Sequence, residues 1–166
     1  LPALLAIDPG LQGTGAAFWR SNRQTAPDWV DVITYRKGEW TDRAMAIAGQ
    51  IKERLVEEVS RGSMLGPVTF VCELMEMHQS ARAQMMWKSG DFQRTLVFTG
   101  MMVARVHRYV DEVELVKPSQ WKGQLPKAIA NRRVAAILGE KACRELDIQT
   151  HAWDAVGIGL WKLGRF

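Results

Sequence analysis

Apolar and polar positions along this chain recur with two different periods, and the order in which those periods follow one another predicts an α/β protein. Leu4-Leu5-Ala6-Ile7 is an apolar run of strand length that closes on Asp8, and Pro9-Gly10 breaks it. Proline donates no ladder hydrogen bond and glycine permits a sharp turn, so Asp8 is expected on a rigid element at the rim of a sheet. Residues 14–20 return as a second buried strand. A polar loop spans 21–27, and residues 29–36 alternate well enough for a third strand. Connections this short predict a three-strand meander.

Thr41-Asp42 then reads as the cap of a helix whose apolar positions Ala44, Ile47, Ala48, Ile51, Leu55 and Val59 fall at helical spacing. Lys52, Glu53, Arg54, Glu57 and Glu58 are expected on its solvent side. Residues 67–73 form a further apolar strand, closing on Glu73, and a strand that follows a helix is most simply paired parallel to the first. That topology places Glu73 at the same sheet edge as Asp8. Residues 74–80 read as an exposed segment and 81–88 as a short helix. Asp91 reads as the cap of a long helix to about residue 109, whose middle is apolar nearly all round. Such a helix is expected in a central position or at a subunit interface. Residues 113–117 make a fifth strand, Ser119 caps a helical turn, 127–138 is a further helix, and a terminal helix opens at Thr150-His151-Ala152-Trp153-Asp154.

A chain of 166 residues with 47% hydrophobic and 24% charged residues is that of a single domain, residues 1–166, with a core of its own. No run approaches a membrane span and no signal peptide is visible, so no membrane partner is expected; the chain starts at Leu1, which leaves a short preceding targeting segment open. Cys72 and Cys143 lie far apart, and His78, His107 and His151 are scattered, so neither a zinc motif nor a disulfide framework is present in the sequence. This cysteine usage fits a reducing, cytoplasmic compartment. Net charge is +4, a mild excess. Its distribution says more: Lys117, Lys122, Lys127, Arg132 and Arg133 cluster in a stretch with no acidic residue from 117 to 139. That gap points to a polyanion as readily as to a solvated helix face.

Three carboxylates from distant segments, Asp8, Glu73 and Asp154, are thus expected near one sheet edge, with His151 three residues before Asp154 at a helix start. Taken singly, each acid reads first as a structural residue, Asp154 as a carboxylate answering a helix dipole. Together they would repel unless cations sat between them. Mg²⁺ or Mn²⁺ prefers such oxygen ligands, and two ions a few ångströms apart suit phosphodiester hydrolysis. His151 could complete the site or handle a proton.

Ile7-Asp8-Pro9-Gly10 followed by Gly13-Thr14-Gly15 resembles the opening of the RuvC-type Holliday junction resolvases of the RNase H-like superfamily. The strand ending in Cys72-Glu73 is similar to that family's second acidic position, and His151-Ala152-Trp153-Asp154-Ala155 is similar to its C-terminal motif. The resemblance covers essentially the whole chain and implies an RNase H-like fold: a five-stranded mixed sheet, a three-strand meander plus two parallel strands, flanked by helices. It implies a Mg²⁺-dependent endonuclease (Mn²⁺ as substitute) that cuts four-way DNA junctions as a homodimer. Asp8, Glu73, His151 and Asp154 would hold two ions, with Asp8 bridging them. Ser119-Gln120-Trp121-Lys122 resembles a segment whose lysine lies near the scissile phosphate, and Lys127 resembles a second such lysine. Lys117, Arg132 and Arg82 join these as expected DNA contacts.

The loop after Glu73 departs from the family, which offers an aromatic wedge there; position 76 is Glu, and the loop offers Leu74, Met75, Met77 and His78 instead, with Met77 and His78 as candidate DNA contacts. Such a protein would sit with nucleoid or viral DNA in the cytoplasm, with an organellar source and a branch-migration helicase partner left open. Other readings are an RNase H-like nuclease for other branched DNA or RNA–DNA hybrids, and a junction-binding protein without catalysis. The glycine-rich opening also resembles the phosphate loop of actin-like sugar kinases, although that fold needs two lobes and this length supplies roughly one.

Overall fold

The computed structural model describes residues 2–61, 66–76 and 81–166, without the side chains of residues 81–83. Among these residues, β1 (Ala3–Asp8), β2 (Thr14–Trp19), β3 (Trp29–Ile33), β4 (Val68–Glu73) and β5 (Glu112–Val116) form one sheet in the order β3-β2-β1-β4-β5. The first three strands are an antiparallel meander, β4 runs parallel to β1, and β5 runs parallel to β4. The mixed sheet is the one the apolar pattern predicts. Parallel strands need crossovers. Helix α1 (Trp40–Ser60) carries the chain from β3 to β4, while α2 (Ala81–Ser89) and α3 (Asp91–Val106) carry it to β5. Helices α4 (Pro118–Trp121), α5 (Lys127–Leu146) and α6 (Ala152–Lys162) follow.

Side chains alternate across a strand, so each strand feeds two cores. Leu5, Ile7, Phe18 and Phe70 pack beneath α1 and α3, whose Ile47, Ile51, Leu55, Phe98 and Met102 are all buried. On the other face Leu4, Ala6, Ala17, Trp19 and Val71 pack against Ala155, Val156, Ile158 and Leu160 of α6. Burial on both faces is why β1, β2 and β4 read as continuous apolar runs.

Several local expectations are corrected. β3 stops at Ile33, three residues early, because its ladder partner Thr14 is the first residue of β2 and nothing remains to pair with. Glu39 caps α1, and Asp42 instead accepts the Glu39 backbone N–H at 2.9 Å from the third helical position. Glu58 is buried and Val59 is exposed, the reverse of the expected pattern. Continuing the spacing of Ile51 and Leu55 reaches 58, and Arg20 at the end of β2 meets the Glu58 carboxylate there at 2.8 Å. Lys117, not Ser119, precedes the first turn of α4, its N–H bound by the Gln120 side chain at 2.8 Å.

Helix α3 buries one face, Thr95, Phe98, Thr99, Met102 and Val106, and leaves Val97 exposed; a single 3₁₀ turn, His107–Tyr109, follows it. Helix α5 continues past 138 to Leu146, with a kink at Gly139, whose φ of 79° lies in the left-handed region. Leu74, Met75 and Glu76 are half-buried rather than exposed, and the Leu74 N–H extends the β4–β5 pairing by donating to the Val116 carbonyl.

Candidate active site

The two parallel central strands bring their acids to one end of the sheet. Ile7 stands opposite Cys72, so Asp8 and Glu73 are the next residues along neighbouring strands, and both strands stop there. Asp8 pairs with Gly15 on its other side. A side chain at Gly15 would run into the backbone carbonyl of His151; its lack of one lets the start of α6 lie directly on β2 beside Asp8. Asp154, in the first turn of α6, is thereby carried to the same end of the sheet and is buried there. The Asp154 carboxylate acts electrostatically on both Asp8 and Glu73, and Glu73 on Asp8.

Burial, and then the Glu73 and Asp154 carboxylates, hold Asp8 well above the usual carboxylate range, against a smaller opposing pull from Lys127 and Lys122. Burial also raises Glu73, opposed first by its hydrogen bond from Trp121 and then by Lys122. Burial, and then the Asp8 and Glu73 carboxylates, push the neighbouring Cys72 thiol well above its ordinary value. Trp121 Nε1 donates to Glu73 Oε2 at 2.7 Å. Lys127 Nζ donates to Asp154 Oδ2 at 2.6 Å, and Asp154 Oδ1 is buried without a hydrogen-bond partner. Lys122 Nζ stands 4.8 Å from the centroid of the Trp121 ring. An orphaned carboxylate oxygen amid three acids is a costly arrangement for a purely structural role.

His151 shares a cleft with Asp8. It is the exposed residue before α6, its ring lies against Gly13, and it lines a cleft of about 420 Å³ with Asp8, Gly10, Met75, Met86 and Asp91. Among the described residues, no group of three or more His, Cys, Asp and Glu side chains is gathered tightly enough to hold a metal ion as it stands. The donors nevertheless fit a hard divalent cation: they are carboxylate oxygens, and one of them is buried with no partner.

Of the expected DNA contacts, Lys127 binds Asp154, and Lys122, over the Trp121 ring, acts on Asp8 and Glu73 through its charge. Lys117 is exposed at the start of α4, and Arg132 is exposed on α5 with its Nε on the Ala128 carbonyl. Arg82 lies on α2 with its side chain not described, and Met77 and His78 lie outside the described residues. Trp121 was missed as a site residue: its place just before Lys122 is the only local hint, and its bond to Glu73 joins positions 48 apart.

No protein-family model matches the chain, and no curated protein matches it. Solved structures do. A structure of Thermus thermophilus RuvC in complex with Holliday junction substrate aligns with a TM-score of 0.64 over 97% of this chain and 92% of that one, at 18% identity. A second Thermus thermophilus RuvC structure aligns with a TM-score of 0.56 over 96% of this chain and 92% of that one, at 19% identity. Identity at this level carries no residue roles, but agreement over nearly the full length of both chains carries the architecture: this chain has the RNase H-like fold of RuvC.

Proposed function

We propose that this protein is a metal-dependent endonuclease that resolves four-way DNA junctions. The observation that carries the reading is the convergence of Asp8, Glu73 and Asp154 at one end of the sheet, with a buried Asp154 oxygen that has no partner. The likeness to a RuvC structure bound to a Holliday junction supports four-way DNA as the substrate. Asp8, Glu73, Asp154 and, from the cleft side, His151 would hold two divalent ions, Mg²⁺ or Mn²⁺. When bound, such ions supply positive charge against the phosphate and the departing oxygen.

The remaining work falls to the chain itself. Trp121 fixes one oxygen of Glu73, and so sets which edge of that carboxylate is presented. Lys122 and Lys127 bring positive charge to the acids, where a phosphate would otherwise be repelled. Lys117, Arg132 and Arg133 extend that charge along α4 and α5 as a track for the DNA backbone. Arg82, Met77 and His78 are proposed as contacts to the junction from the segment after β4. Cutting two opposed strands calls for two sites, and hence for a homodimer. A binding module without catalysis would gain nothing from three acids set beside DNA phosphates.

The test is cleavage of synthetic four-way, three-way and linear DNA with Mg²⁺ and with EDTA, using wild type and Asp8→Asn. Wild type nicks the four-way junction with Mg²⁺ and stops with EDTA, and Asp8→Asn binds the junction without cutting it. An Asp8→Asn protein that cuts at the normal rate ends the metal assignment. ATP-dependent phosphorylation of a small molecule would favour the kinase reading instead.

A further inference from the structure

Lys127 is the first residue of α5, immediately after Pro126. The helix dipole places partial positive charge there and disfavours a lysine. Its ammonium is nevertheless held at 2.6 Å from Asp154 Oδ2, with half of the lysine side chain still exposed and only 8% of the aspartate's. The other oxygen of that carboxylate is buried and has no hydrogen-bond partner. Lys122, the second cation near the acids, is engaged by the Trp121 ring. The charge of Asp154 is therefore met by a side chain that is half in solvent, carried on a long flexible stem, and poorly placed on its own helix.

We propose that the Lys127 ammonium is a displaceable stand-in for a divalent cation on Asp154: it holds the carboxylate while no ion is bound, yields when one binds, and is then available to a DNA phosphate. This rests on reading the three acids as a divalent-ion site, and it adds an order of events to that reading. One carboxylate facing two cations, Lys127 on Oδ2 and the ion on the unpartnered Oδ1, makes Lys127 a competitor of the ion for its charge. Removing Lys127 by giving it a phosphate helps the ion bind, and by linkage ion binding helps the lysine reach the phosphate. Charge on the polyanion and charge in the site are coupled through one side chain.

Mg²⁺ alone, without DNA, is the probe. Its binding to wild type is followed by calorimetry, and the Lys127 Nζ resonance in isotope-labelled lysine is followed through the same titration. That resonance is assigned by its loss in Lys127→Arg, and its unpaired position is set by Asp154→Asn. The expected result is a move of the wild-type resonance to the unpaired position in step with calorimetric saturation. Lys127→Met is expected to bind Mg²⁺ roughly fivefold or more tightly than wild type. A resonance that stays at its paired position in Mg²⁺-saturated protein overturns the exchange while leaving the ion site intact. Absence of Mg²⁺ binding in wild type overturns the ion site, and the exchange with it. Should Lys127→Met not fold, the resonance of the wild-type protein decides.

Discussion

The indole N–H of Trp121 donates to Glu73 Oε2 at 2.7 Å, joining the short helix α4 to the end of strand β4. The ring itself is wedged: Phe166 meets it edge-on at 5.6 Å between centroids, and Gly157 of α6 lies directly against it. Trp121→Phe keeps one six-membered aromatic ring in the slot and removes the pyrrole part of the indole with its N–H donor. The buried acceptor left behind costs about 1–3 kcal/mol, and Glu73 moves further above the usual carboxylate range because its strongest opposing influence is gone. Cleavage by Trp121→Phe is expected to need more Mg²⁺ for half-maximal rate than wild type, with DNA affinity retained. Equal Mg²⁺ dependence in the two proteins would remove Trp121 from the site.

Asp8 and Glu73 both lie above the ordinary carboxylate range, so the unfolded chain loses those protons at lower pH than the folded one. The folded state thus binds more protons in that window, and stability falls as pH rises above the unfolded value and through the folded one. Without divalent ions, Asp8→Asn is expected to melt higher than wild type at pH 8, with the gap closing toward pH 4. Mg²⁺ should raise the wild-type melting temperature at pH 8 and do little for Asp8→Asn. Thermal melts at several pH values, with and without EDTA, check both; parallel wild-type and variant curves would refute the buried-charge account.

Lys122 touches the Trp121 ring and otherwise faces the acids and solvent. A half-exposed cation over an aromatic face contributes about 0.5–1 kcal/mol to stability. Lys122→Ala is therefore expected to shift the melting temperature slightly and to slow junction cleavage by roughly tenfold or more, the scale of one lost electrostatic contact to a reacting phosphate. An unchanged rate together with an unchanged melting temperature would leave Lys122 without a role.

Gly157 offers a packing test that reaches the same site. A Cβ there would lie 2.5 Å from Trp121 Cζ3, closer than side chains tolerate. Gly157→Ala is expected to destabilise by about 1–3 kcal/mol through overpacking, and to disturb the Glu73 hydrogen bond by shifting the indole. Denaturant unfolding measures the first effect and Mg²⁺-dependent cleavage the second. Full stability in the variant would mean that α6 and Trp121 are not in the contact described.

The alternation and spacing of apolar residues made the sheet, its meander and its parallel crossover legible, because hydrophobic periodicity is written locally in every strand and helix. Asp8 and Glu73 were legible for the same reason: each closes an apolar run, and once β4 is parallel to β1 the two must share an edge. Helix limits were legible only in part. Gly139 looked like an end and is a kink, since α5 resumes after it.

What the chain by itself determined is thus the type and order of its elements and the edge at which its acids stand, since backbone geometry and side-chain period act within a few residues. Only the tertiary structure decided that Glu58 turns inward to Arg20, that Trp121 holds Glu73, and that Lys127 holds Asp154. Those pairs join residues 38, 48 and 27 positions apart, and no spacing encodes them. They arise because burying a charge or a polar group is costly until a partner from elsewhere arrives to meet it.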